Sequence, residues 1–176
     1  MRRQDLEHII RAAGDIAKDD EIVVVGSQAI LAEFPGAPAE LLESAEADVY
    51  PRHHVARAEE IDGNIGELSL FHETHGYYAH GVGPETVVAS PDWESRLVRL
   101  GNANTNQITG LCLQANDLFL AKLAAYRKKD LAFCRAMIRY AMVDADTLRR
   151  MVVDMPLEPK ALELVTRTLE EMLMAS

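Results

Sequence analysis

Two kinds of apolar patterning alternate along the chain. Between Asp5 and Lys18, the residues Leu6, Ile9, Ile10, Ala13 and Ile16 recur at helical spacing, which predicts an amphipathic helix with Asp5 as its N-cap. Ile22-Val23-Val24-Val25 is an unbroken, mostly β-branched run, the mark of a central strand buried on both faces. It stops at Gly26-Ser27, after which Gln28–Phe34 has the composition of a helix. Pro35-Gly36-Ala37-Pro38 then makes a turn, and Ala39–Ser44 adds a short helical turn. Glu46-Ala47-Asp48-Val49-Tyr50 is a second strand, stopped by Pro51. Strand, helix, strand in that order predicts a right-handed crossover that sets the Gly-Ser turn beside the acidic strand.

The middle of the chain is more broken. Arg52–Asp62 reads as a short helix ended by Gly63-Asn64-Ile65-Gly66. The segments Glu67–His72, Tyr77-Tyr78, Val82 and Val87-Val88 read as short strands and loops. Trp93–Leu100 forms a hairpin arm, Asn102–Asn106 its turn and Gly110–Leu113 its return strand. From Asn116 the pattern turns helical, over 116–128, 130–140, 146–153 and 158–174, with Asn116 and Asp146 as N-caps and Pro156 and Pro159 marking a break. The organisation expected is therefore an α/β domain over 1–114, with a mixed sheet, and a C-terminal helical bundle over 115–176 packed on it.

Composition narrows the function classes. A chain of 176 residues, 48% hydrophobic, can bury a proper core. Its net charge of -10 argues against a general basic footprint for nucleic acid and against an anionic membrane surface. The N-terminus lacks a signal-peptide apolar core, and no apolar stretch approaches the roughly 18 residues of a membrane span. Cys112 and Cys134 lie far apart with no paired spacing, which fits buried thiols in a reducing, cytosolic setting.

Chemistry concentrates at two places. At Gly26-Ser27 the glycine lets backbone N–H groups approach an anion, the serine adds a hydroxyl, and a following helix would point its positive end at the same spot. Glu46 and Asp48 are two apart and share one strand face, a pair suited to a hard divalent cation. The bland alternatives are a tight turn and a solvated edge. Glu67 is the candidate for a third carboxylate, with Asp92 and Glu94 behind it. Histidines are dense at His53-His54 and at His72, His75 and His80, so a His loop ligating a transition metal, with Glu73 in reserve, is a separate reading. Hydrogen bonding within an aromatic loop is its plain counterpart.

The Gly-Ser turn followed by acid-x-acid on the next strand resembles the signature of the nucleotidyltransferase superfamily, with its polymerase-β-like fold. The run Asp117-Leu118 to Lys122-Leu123 and on to Arg127-Lys128-Lys129-Asp130-Leu131 resembles a segment of its short bacterial members, related to the type IV toxins of abortive-infection systems. The resemblance implies that Gly26 and Ser27 bind phosphate, that Glu46 and Asp48 hold Mg²⁺ or Mn²⁺ and act in catalysis with Glu67, and that Lys122 and Asp130 serve the nucleotide end of the cleft. It implies a nucleoside triphosphate as substrate and RNA or protein as acceptor, with an antitoxin or a second copy of the chain as candidate partners. The alternatives are a catalytically inactive nucleotide- or protein-binding module of the same fold, and a metalloprotein using the His72/His75/His80 loop. The stretch Pro35–Ser44 makes the interval between Ser27 and Glu46 long for the fold.

Overall fold

Glu21–Val24 forms β1, and its Ile22, Val23 and Val24 are fully buried. The computed structural model describes residues 1–175, in two compact units: Met1–Thr86 with Leu97–Gln114, and Val87–Arg96 with the chain from Ala115 onward.

In the first unit, helix α1 (Arg3–Ala17) precedes β1; β2 (Glu46–Pro51), α2 (Ala58–Ile65), α3 (Leu70–His75), β3 (Tyr78–Gly81), β4 (Val98–Leu100) and β5 (Thr109–Cys112) follow. Among the described residues five strands form one mixed sheet in the order β3-β2-β1-β5-β4. The β-branched run is central, as its lack of a polar face requires. β1 lies parallel to β5, and β2 parallel to β3. β4 runs antiparallel to β5, so the expected hairpin forms with a shorter arm: Trp93–Arg96 is a 3-10 helix rather than strand.

Two expectations are corrected here. β1 and β2 are antiparallel, with Val24 opposite Val49, so no right-handed crossover joins them. The reason is that Ser27–Ala32 is one short 3-10 helix rather than an α-helix able to carry the chain back across the sheet. The turn and the acidic strand still meet, because the returning strand re-enters at the end where β1 stops: Val25 N–H donates to Asp48 O at 3.0 Å. Glu67–His72 is not a strand. Leu68 and Leu70, which mimic strand alternation, are 82% and 78% exposed. Ser69 instead caps α3 by accepting the His72 N–H, and Gly76 ends it in the left-handed conformation that favours glycine.

α1 buries Leu6, Ile9, Ile10 and Ala13. Asp5 sits inside its first turn and accepts the Arg2 N–H at 2.7 Å, rather than occupying the cap. Glu7, also buried, accepts hydrogen bonds from Asn102 and Asn104 at 2.8 Å each and from Arg3 at 3.2 Å, which fastens the helix to the β4–β5 connection. At the opposite end of β1 from Gly26, Asp19 accepts the backbone N–H groups of Glu21, His53 and His54 at 3.1, 2.7 and 3.0 Å, tying the start of β1 to the end of β2.

The second unit is helical: α4 (Ala115–Ala125), α5 (Lys128–Arg139), α6 (Ala145–Val152) and α7 (Pro159–Met174) bury Leu118, Phe119, Leu123, Leu148, Val165 and Leu169. Asp144, not Asp146, caps α6 by accepting the Thr147 N–H at 2.8 Å, and Asn116, inside α4, accepts the Asp144 N–H. Arg96 grips the fully buried Asp117 with two bonds of 2.8 Å, and Ser90 donates to the same carboxylate. That network explains why Val87–Arg96 belongs to the helices. Among the described residues no helix is long and apolar enough to cross a membrane.

Candidate metal centre

Strand β2 carries Glu46 and Asp48 on one face because they are two residues apart, while Ala47 between them is buried on the other. β3 pairs with β2 in parallel so that Tyr78 stands beside Glu46 and His80 beside Asp48. All four side chains therefore share a face. His80 Nδ1 lies 3.2 Å from Asp48 Oδ1 and 3.5 Å from Glu46 Oε1. One ligand atom from each of Glu46, Asp48 and His80 falls within 4.8 Å of the others.

Two neighbours set the carboxylates in place. The Tyr78 hydroxyl donates to Glu46 Oε2 at 2.9 Å, leaving Oε1 toward the imidazole. Burial, the hydrogen bond to Glu46 and the negative charges of Glu46, Glu67 and Asp48 push the phenol up to about 12. On the other side Gly26 presses against Asp48, and a Cβ there would run into Oδ2. The glycine lies in an extended conformation open to any residue (φ -80°), so what requires it is the space taken by the carboxylate. Behind it Gln28, fully buried, donates through Nε2 to Ser44 O at 3.2 Å, while its Oε1 lacks a hydrogen-bond partner. Ser44 in turn accepts the Glu46 N–H at 3.1 Å. The inserted stretch thus ends by anchoring the start of β2.

The sequence-derived candidates divide as follows. Gly26, Glu46 and Asp48 come together, with half-buried Ser27 next in the chain. Glu67 is exposed on the turn before α3, close enough to act on Tyr78 but outside the cluster of ligand atoms. Lys122 and Asp130 lie in the helical unit and meet each other: Nζ is 3.6 Å from the buried Asp130 carboxylate, which also takes the Arg127 guanidinium.

The histidine loop does not assemble as one site. The His72 ring rests 4.6 Å from that of Tyr78, and its Nδ1 accepts the Leu68 N–H. His75 packs among His8, Phe71 and Tyr77. Only His80 of the three reaches the acidic pair, and that role was missed in the sequence. A signal existed in the matching polar-Ala-polar triplets Glu46-Ala47-Asp48 and Tyr78-Ala79-His80.

A second group, Asp19, Asp20 and His53, also gathers three ligand atoms. Asp19 is already committed to three backbone N–H groups there, which hold its carboxyl below the usual range despite burial.

The fit of Glu46 and Asp48 to a divalent cation rests on their donor chemistry: carboxylate oxygens on one partly exposed sheet face, fixed by a phenol and given room by a glycine. Comparison with curated proteins and with solved structures found no match to the chain. Residues 4–167 match the family described as "Nucleotidyltransferase of unknown function (DUF6036)", and the chain belongs to that family.

Proposed function

We propose that the chain is a metal-dependent nucleotidyltransferase working at the Gly26, Glu46 and Asp48 bend. The observation that carries the reading is the meeting of a strand-ending glycine with two carboxylates on the neighbouring strand, in a chain of that family. Glu46 and Asp48 hold the cation, and Gly26 and Ser27 lie against the polyphosphate. A divalent cation bound there supplies charge neutralisation at the phosphates and acidifies the attacking hydroxyl. The acceptor hydroxyl oxygen forms a bond to the α-phosphorus of a nucleoside triphosphate, the α–β bridging bond breaks, and pyrophosphate leaves with its electron pair. The hydroxyl proton passes to a carboxylate; Glu67, on the turn near Tyr78, is the candidate. Mg²⁺ and Mn²⁺ are the cations to try, and RNA and protein the acceptor classes.

Pyrophosphate release in the presence of cation, each triphosphate and a lysate of acceptors tests the reading. Release that disappears in Asp48→Asn is the expected result. The second reading is a nucleotide-binding module without chemistry, favoured by the imidazole standing where a third acid could complete the set. Triphosphate binding by calorimetry with no release under any condition supports that module instead.

A further inference from the structure

We infer that His80 is a ligand of the same cation through Nδ1, and that the centre therefore favours a first-row transition ion, Mn²⁺ included, over Mg²⁺. The inference rests on the metal-centre reading above and adds a residue and a selectivity to it. Two donor atoms bound to one ion at bond lengths of about 2.0–2.2 Å sit about 2.8–3.6 Å apart in octahedral (cis) or tetrahedral geometry. His80 Nδ1 lies 3.2 Å from Asp48 Oδ1, a hydrogen-bond distance, and 3.5 Å from Glu46 Oε1; both separations fall in that range, and a bound cation would take the place of the shared proton.

The placement is built by the sheet. Parallel register sets His80 directly beside Asp48, and the backbone around it is fixed from both sides: Tyr78 N–H donates to Ala45 O, and Val82 N–H to Val49 O. The Tyr78 hydroxyl is taken up with Glu46 Oε2, which leaves the imidazole as the group on β3 that can complete the set. One nitrogen beside two carboxylates changes the preference of the site. Mg²⁺ demands hard oxygen donors and sheds water reluctantly, whereas first-row transition ions accept an imidazole nitrogen, Mn²⁺ the most weakly of the series and Co²⁺ and Zn²⁺ more strongly.

The test uses the full chain loaded with Mn²⁺ alone, and reads the metal rather than turnover. Pulsed electron paramagnetic resonance is expected to show hyperfine coupling to a directly bound imidazole nitrogen. That coupling should vanish in His80→Ala and persist in His53→Ala, which reports the other acid-histidine group. By calorimetry, His80→Ala should weaken Mn²⁺ by about tenfold or more while moving Mg²⁺ by less than about twofold. His80→Asp should narrow the gap between the two ions. The His80 side chain is 52% exposed, so these variants keep the fold, which circular dichroism checks. Mn²⁺ that binds the wild type and is lost in Asp48→Asn, yet shows no nitrogen coupling, overturns the role of His80 and leaves the carboxylate centre standing. A wild type that binds no Mn²⁺ overturns both.

Discussion

Tyr78 and Glu46 lie side by side on parallel strands, and the phenol donates to Oε2 across 2.9 Å. The bond turns a flexible glutamate into a fixed one. Because the folded phenol is pushed from 10.0 up to about 12, the protonated form is the stabilising one. Its contribution is whole below pH 10 and fades as the pH rises toward 12. Ultraviolet titration should therefore show a late tyrosine phase that Tyr78→Phe removes, and the same variant should weaken cation binding about threefold to tenfold by freeing Glu46. An unchanged titration would place the hydrogen bond elsewhere.

Gly26→Ala is expected to act through Asp48 rather than through the backbone. The added methyl collides with Oδ2, so the variant should lose about 1–3 kcal/mol of stability and bind cation poorly. In an Asp48→Ala background the collision is gone. A double-mutant cycle by urea unfolding should then show most of the Gly26→Ala cost disappearing; equal costs in both backgrounds would contradict the close approach.

Like Asp19, Glu7 contributes to the acid sensitivity of the first unit. Burial raises its carboxyl, but the hydrogen bonds from Asn104, Asn102 and Arg3 outweigh that and hold it below 4.5. A depressed folded value means that the stabilisation is present above about pH 4.5 and is lost as the pH falls through the folded value. Glu7→Gln should cost about 1–2 kcal/mol at neutral pH and flatten the fall of the urea midpoint below about pH 4.5. A curve parallel to that of the wild type would assign the acid sensitivity to other groups.

Both thiols should be inert in the folded protein. Cys112 is fully buried and pushed up to about 12 by that burial, and burial likewise raises Cys134. A colourimetric thiol reagent at pH 8 should therefore titrate neither until denaturant is added. Rapid reaction of either one in the native state would contradict the packing around it.

Much of the fold was legible because particular residues leave little choice. An unbroken Ile22–Val25 run has no wet face, so it had to be central, and it is. The helices after Gln114 follow apolar spacing with caps displaced by a residue or two, as at Asp144. The direction of β2 was not legible, since Gln28–Phe34 has helical composition whether it forms a long α-helix or the short 3-10 turn observed. Leu68-Ser69-Leu70 copied strand alternation with no sheet to bury it. The bend and the acid pair could be found by residue type and order. His80 was harder to separate from the other histidines, because its place beside Asp48 depends on the β2–β3 register, to which only the matching triplets Glu46-Ala47-Asp48 and Tyr78-Ala79-His80 point.

The most direct measurement of the central claim is transfer of label from α-phosphate-labelled nucleoside triphosphates to an acceptor, run with Mg²⁺ and with Mn²⁺ for the wild type, Glu46→Gln and Asp48→Asn. The expected result is cation-dependent labelling that falls by about a hundredfold or more in both variants while their melting temperatures stay close to that of the wild type. Labelling that persists undiminished in both variants would contradict the assignment of Glu46 and Asp48 as the metal-holding pair.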